Sequence, residues 1–169
     1  MDAQTLKALQ APLKEKYRKD PLSALVTLRA TGRAGEGISC SVDTGKALVA
    51  AGLHPATGGD GSLACSGDML LQALVACAGV TLRAVATAIR LDLRNATITA
   101  EGDLDFRGTL NVATDAKVGF KEIRLRFELE GEMTEEQRST LINLTERFCV
   151  VLQTLRQPPS ITAEHNRRS

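Results

Sequence analysis

The pattern of apolar and polar positions changes character several times along the chain. Thr5 to Arg18 reads as an exposed helix that Pro12 interrupts and Pro21 closes. From Leu22 the period becomes two. Ala24, Val26, Leu28 and Ala30 alternate with Leu25, Thr27 and Arg29, which predicts a strand ending in Thr31-Gly32-Arg33. Gly35-Glu36-Gly37 supplies a turn, and Ile38 to Asp43 reads as the returning strand of a hairpin. A third short apolar run, Ala47 to Ala51, leads into a loop from Gly52 to Leu63 rich in Gly, Pro and Ser.

The next segment has almost no polar face. From Met69 to Ile89 the only charged residue is Arg83, and a helix apolar all round is a buried one. Ser66 is its expected N-cap, and Asp68 suits the positive end of its dipole. A membrane span is the competing reading, rejected because the unbroken run is short and Arg83 cuts it. Ala73, Ala76, Ala78 and Gly79 permit close approach by other helices. Asn95 to Phe106 then alternates Ile98, Ala100 and Gly102 against Thr97, Thr99 and Glu101. Phe120 to Gly131 places Ile123, Leu125, Phe127 and Leu129 against a charged face, the pattern of half-buried antiparallel strands. Thr134-Glu135-Glu136-Gln137 is a capping box. It opens a second long helix, expected to turn Leu141, Leu144 and Phe148 inward and to reach about Leu155 before Pro158-Pro159. Ser160 to Glu164 reads as a last short strand. Strands and helices in this order predict an α+β fold. Because one sheet covers only one side of an all-apolar helix, two subunits packing these helices back to back are expected: a homodimer.

Composition narrows the function. The 169 residues suit one domain with a sizeable core. The formal charge of +1 lacks the footprint of a nucleic-acid binder. The four cysteines form no C-x-x-C or C-x-x-H pair and are too sparse for a disulfide scaffold, so neither a zinc site nor any other metal or cofactor is expected. Met1 to Asp20 has no apolar signal region, so the expected setting is cytoplasmic, with free thiols. A free cysteine is ordinarily an inert small hydrophobe, the reading composition gives for Cys40, Cys65, Cys77 and Cys149 alike.

The surroundings of the cysteines change this. Gly58-Gly59, then Cys65-Ser66-Gly67-Asp68-Met69-Leu70-Leu71-Gln72-Ala73-Leu74-Val75-Ala76-Cys77, continued by Ala78-Gly79-Val80-Thr81-Leu82, resembles the signature of the OsmC/Ohr family, the osmotically inducible protein C and organic hydroperoxide resistance proteins. Thr145-Glu146-Arg147-Phe148-Cys149 resembles the second family motif. The hairpin Ala30-Thr31-Gly32-Arg33-Ala34-Gly35 is similar to the segment carrying the family's essential arginine. The resemblance covers roughly residues 22 to 165, which leaves 1–21 as an N-terminal helical extension and 22–169 as an OsmC-like domain. It implies antiparallel sheets wrapped around two long central helices in an intertwined homodimer, with active sites at the subunit interface.

For chemistry, the resemblance implies that Cys77 attacks the O–O bond of an organic hydroperoxide as a thiolate and becomes a sulfenic acid. Cys149 then resolves it to a disulfide, which an external dithiol or lipoyl-type reductant reopens. Because burial in an apolar helix makes a thiol inert, Cys77 needs help; Arg33, oriented by a carboxylate, is the expected partner. Two positions depart from the peroxidases. Their glutamate ten residues before the nucleophile is Gly67 here, with Asp68 next to it. Nine residues at about 100° each would point Asp68 and Cys77 opposite ways on a continuous helix, so Asp68 is equally read as a charge favouring the helix N-terminus. Where the peroxidases have Pro and then Ser after the second cysteine, this chain has Val150-Val151-Leu152. These departures keep a second reading open: a non-catalytic dimer that binds apolar ligands or senses redox state. An apolar site around Cys77, formed by Leu74, Val80, Leu82 and Phe148, is expected to favour organic over hydrogen peroxide.

Overall fold

The computed structural model describes residues 2–19, 31–34, 39–43, 48–111 and 113–165, the first strands by their backbone alone. The first helix, α1 (Ala3–Lys19), begins where the Asp2 carboxylate accepts the Thr5 amide at 2.7 Å. It runs through Pro12 rather than breaking there. A proline costs one amide bond to the carbonyl four residues earlier, and at exposed Ala8 water can take that carbonyl.

Strands β1 (Thr31–Ala34), β2 (Ser39–Asp43) and β3 (Leu48–Gly52) form the expected antiparallel run, with Arg33 opposite Ser41 and Cys40 between Ala34 and Ala51. The predicted strand over 22–30 and the turn at 35–37 lie outside the described residues. A two-residue strand, β4 (Ala64–Cys65), adds a parallel pair to β3, so this sheet is not wholly antiparallel. That pairing also corrects the expected helix cap. Tied to Gly52, Cys65 stays extended and occupies the cap position without a side-chain hydrogen bond, and Ser66 is already helical.

The apolar helix α2 (Ser66–Ala88) is continuous. Its 23 residues include an 18-residue stretch of mean hydropathy 1.8, long and apolar enough to cross a membrane, yet one face packs within the fold. That face carries Leu74, Ala78, Leu82, Val85 and Ala86. Strands β5 (Asn95–Leu104) and β6 (Phe120–Glu130) pair antiparallel in a second sheet, joined through a short helix, α3 (Phe106–Thr109). Their inward residues, Ile98, Ala100, Ile123, Leu125 and Phe127, cover that face of α2. Leu74, Leu82 and Leu141 are fully buried, each worth about 1.5–3 kcal/mol of transfer from water. The guanidinium of Arg83 donates to the carbonyls of Leu93 and Arg94, fastening the turn between α2 and β5.

The last helical region differs most from expectation. The capping box forms: Thr134 Oγ1 accepts the Gln137 amide and Gln137 Oε1 accepts the Thr134 amide. But α4 (Glu135–Phe148) stops at Cys149, whose backbone is extended (φ −72°, ψ 105°), and a separate helix, α5 (Val150–Arg156), comes next. The expected second long helix is therefore two. Leu141 is buried and Leu144 half-buried as predicted, whereas Phe148 is 55 % exposed where α4 ends, with the Arg147 guanidinium over its ring. The chain from Pro158 to His165 forms no strand, and Ile161 lies 86 % exposed.

Candidate active site

Cys77 and Cys149 meet where α2 passes the joint between α4 and α5. Cys149 is fully buried with Leu74 and Ala78; Cys77 is half-buried against the same cluster. Both thiols are free, and each lies near enough to shift the acidity of the other. Their environments push them apart in acidity. Burial raises the Cys77 thiol, but the amide of Val151, the Cys149 thiol, the amide of Val150 and the Thr81 hydroxyl together outweigh it and hold the group below the ordinary thiol value. Burial pushes Cys149 up. The Leu152 amide works against this, and the neighbouring Cys77 works with it. A more acidic, reachable thiol beside a buried, less acidic one is the division of labour a nucleophile and its resolving partner need.

The helix break makes this possible. In an uninterrupted helix the Val150 amide would bond the Glu146 carbonyl. Here it is one of the groups that hold the Cys77 thiol down, and the Glu146 carbonyl accepts instead from the Gln153 side-chain amide at 2.8 Å. Arg156 adds an ion pair to the Glu146 carboxylate at 2.8 Å. Cys149 N–H still donates to Thr145, and Gln153 N–H to the Cys149 carbonyl, each at 2.9 Å.

The other expected site residues are not gathered here. Asp68 is exposed in the first turn of α2, and because the helix is continuous it lies about half a turn from Cys77. Its place suits the helix dipole. Arg33 sits on β1, and its side chain lies outside the described residues. His54 is a local structural residue: its Nδ1 accepts the Ala56 amide at 3.0 Å, and its ring stacks on Phe106. Thr81 and Gln153 do not stand out in the sequence. A hydroxyl one helical turn after Cys77 is readable as a neighbour, whereas Gln153 acquires its place only through the break.

Val80, one turn along α2 from Cys77, and Phe148 and Val150, on either side of Cys149, are 73 %, 55 % and 70 % exposed. A cavity of about 340 Å³ is walled by Leu74, Ile123, Leu125, Leu152 and Leu155, which also pack in or against the Cys149 cluster, with Lys121, Glu122, Glu146 and Arg156 among its lining residues. Among the described residues no group of three or more His, Cys, Asp or Glu side chains is placed to hold a metal.

Comparison with solved structures agrees with this architecture. The chain is similar to an OsmC-like protein from Mycoplasma pneumoniae, at TM-score 0.67 and 19 % identity over 79 % of this chain and 89 % of that one. An organic hydroperoxide resistance protein OsmC from Legionella pneumophila gives TM-score 0.62 and 19 % identity over 79 % and 91 %. Organic hydroperoxide resistance protein OhrB of Bacillus subtilis gives TM-score 0.53 and 19 % identity over 79 % and 93 %. No curated protein matches the chain. The family described as OsmC-like protein matches residues 59–164, which take in α2, both site cysteines and the strands between them: this chain belongs to the OsmC-like family.

Proposed function

We propose that the protein is a thiol-dependent peroxidase that reduces organic hydroperoxides. The observation that carries this is the pair of neighbouring free thiols, Cys77 packed against the cluster that holds Cys149, with Cys77 made more acidic and Cys149 less so by their surroundings. The Cys77 thiolate attacks the terminal oxygen of ROOH, the O–O bond breaks, and an S–O bond forms as the alkoxide leaves and takes up a proton to become ROH. Cys149 then attacks the sulfenic sulfur, which loses water as the disulfide forms. A dithiol reductant, of the lipoyl type in this reading, reopens it by exchange and is itself oxidised. Open apolar side chains beside Cys77 favour an organic peroxide over hydrogen peroxide.

The working form in this proposal is a cytoplasmic homodimer. The exposed side of α2, with Ala73, Ala76 and Val80, lies opposite its packed face and needs a cover. Such a partner is also the route by which Arg33 of one subunit would reach a Cys77.

Consumption of cumene hydroperoxide with dihydrolipoamide tests the proposal, wild type beside Cys77→Ser and Cys149→Ser. Turnover by wild type and none by Cys77→Ser supports it. Equal inactivity of all three with either dihydrolipoamide or dithiothreitol overturns it. The second reading, a dimer that binds an apolar ligand or senses redox state, is favoured by Asp68 facing away from Cys77 and by the cavity that shares its apolar wall with the Cys149 cluster. It expects no turnover.

A further inference from the structure

The joint between α4 and α5 contains no glycine or proline, although a helix interrupted at Cys149 ordinarily straightens unless something else takes its carbonyls. The carbonyl that competes for the Val150 amide is that of Glu146, and the Gln153 side chain already occupies it at 2.8 Å. Gln153 is half-buried and lies on the first turn of α5, one turn from Cys149, whose carbonyl its own backbone amide bonds. Its side chain thus reaches back across the break to the helix it has left.

We propose that Gln153 is a positioning residue for the reacting thiol: by holding the Glu146 carbonyl it keeps Cys149 extended and leaves the Val150 amide free to face Cys77. This rests on the reading of Cys77 as the nucleophile and adds the residue that sets its surroundings. Without the Gln153 amide, the Glu146 carbonyl is a vacant acceptor in reach of the Val150 N–H, and closing that bond would extend α4 through Cys149. The thiolate would lose a donor and become more basic. Among the described residues the titratable group beside Cys77 is the Cys149 thiol, and the charges beside Gln153 are the paired Glu146 and Arg156. None of the three supplies a donor that would replace the Val150 amide.

The test is the pH dependence of Cys77 alkylation by iodoacetamide, read on the Cys77 peptide by mass spectrometry in the fully reduced, full-length protein. It uses wild type, Gln153→Leu, Val150→Pro and the double variant. For every tenfold loss of thiol acidity, alkylation on the acid side slows about threefold and the alkaline plateau rises about threefold, because a more basic thiolate is rarer but more nucleophilic. Gln153→Leu is expected to show this crossing pair of changes. In the Val150→Pro background the same Gln153 change is expected to do nothing, since proline has no amide to recapture and itself keeps Cys149 extended. An unchanged profile in Gln153→Leu overturns the proposal. So does an equal effect in both backgrounds, which would place Gln153 on another route to the thiol. Should Gln153→Leu fail to fold, Gln153→Ser, too short to reach the carbonyl, gives the same comparison. No peroxide enters the assay. A wild type that fails to turn over cumene hydroperoxide while these profiles cross would therefore end the peroxidase proposal and leave this one standing.

Discussion

Replacing Val150 by proline separates a broken helix from a bent one. Val150 is the first residue of α5, and proline is well tolerated at a first helical position because its missing N–H has no intrahelical partner there. Cys149 already has the extended conformation that the residue before a proline prefers, with ψ at 105°. The Val150 side chain is 70 % exposed, so its removal sacrifices little packing. What disappears is the amide's support of the Cys77 thiol, at most that of one hydrogen bond, about 0.5–1.5 kcal/mol. What is gained is the stiffer unfolded chain, about 0.4–1 kcal/mol. Stability by urea denaturation of the reduced protein is therefore expected to change by no more than about 1 kcal/mol. Over the same substitution the Cys77 thiol is expected to become less acidic in the alkylation assay. A loss near 3 kcal/mol, the cost of proline inside a helix, would refute the break at Cys149. Near-native stability with unaltered acidity would refute the amide's contact with the thiol.

Four further outcomes are expected. Thr81→Val removes the hydroxyl that supports the Cys77 thiolate at nearly constant volume, and slower alkylation near neutral pH, restored in Thr81→Ser, checks it. Leu141→Ala opens a cavity at a fully buried position and should cost about 2–5 kcal/mol in urea denaturation. At Gly102 a Cβ would fall 2.5 Å from the Phe120 ring, so Gly102→Ala must displace that ring and should cost about 1–3 kcal/mol, seen as a lowered Tm. The Arg107 guanidinium, bonded to Asp105, holds its carboxyl down at about 2. A depressed carboxyl contributes stability above the unfolded value, near 3.9, and the contribution fades as pH falls towards about 2. Carboxyl NMR titration should show that midpoint in wild type and its return towards the ordinary range in Arg107→Ala.

The elements legible in the sequence are those that local periodicity governs. The alternation over Phe120–Glu130, the Thr134–Gln137 box and the hairpin pairing of β1 with β2 each report an interaction between near neighbours, and each is present. The packed stripe of α2 also accords with its apolar run, although that run could not say which face the sheet would take. The break at Cys149 has no such signature. Val150-Val151-Leu152 continues an apolar helical pattern, and the cause of the interruption lies in a glutamine side chain reaching back seven residues and a thiol on another helix. The same distance effect hid Gln153 itself, a polar residue on a short helix with nothing in its neighbours to mark it.

The departure from the peroxidase pattern after the second cysteine accordingly changes its meaning. A proline there would fix the preceding cysteine as extended by covalent restraint and present no amide. Valine leaves the conformation to be held by other means, and here the Gln153 amide on the Glu146 carbonyl holds it. The valine thus leaves at the joint an amide that supports the Cys77 thiolate, on a chain whose Asp68, the expected carboxylate, faces the other side of its helix. Main-chain donors carry no net charge and do not titrate. A thiolate supported by them keeps its surroundings over a wide pH range and depends on the geometry of the joint, so mutations that straighten the helix should harm Cys77 more than mutations that remove surface charge.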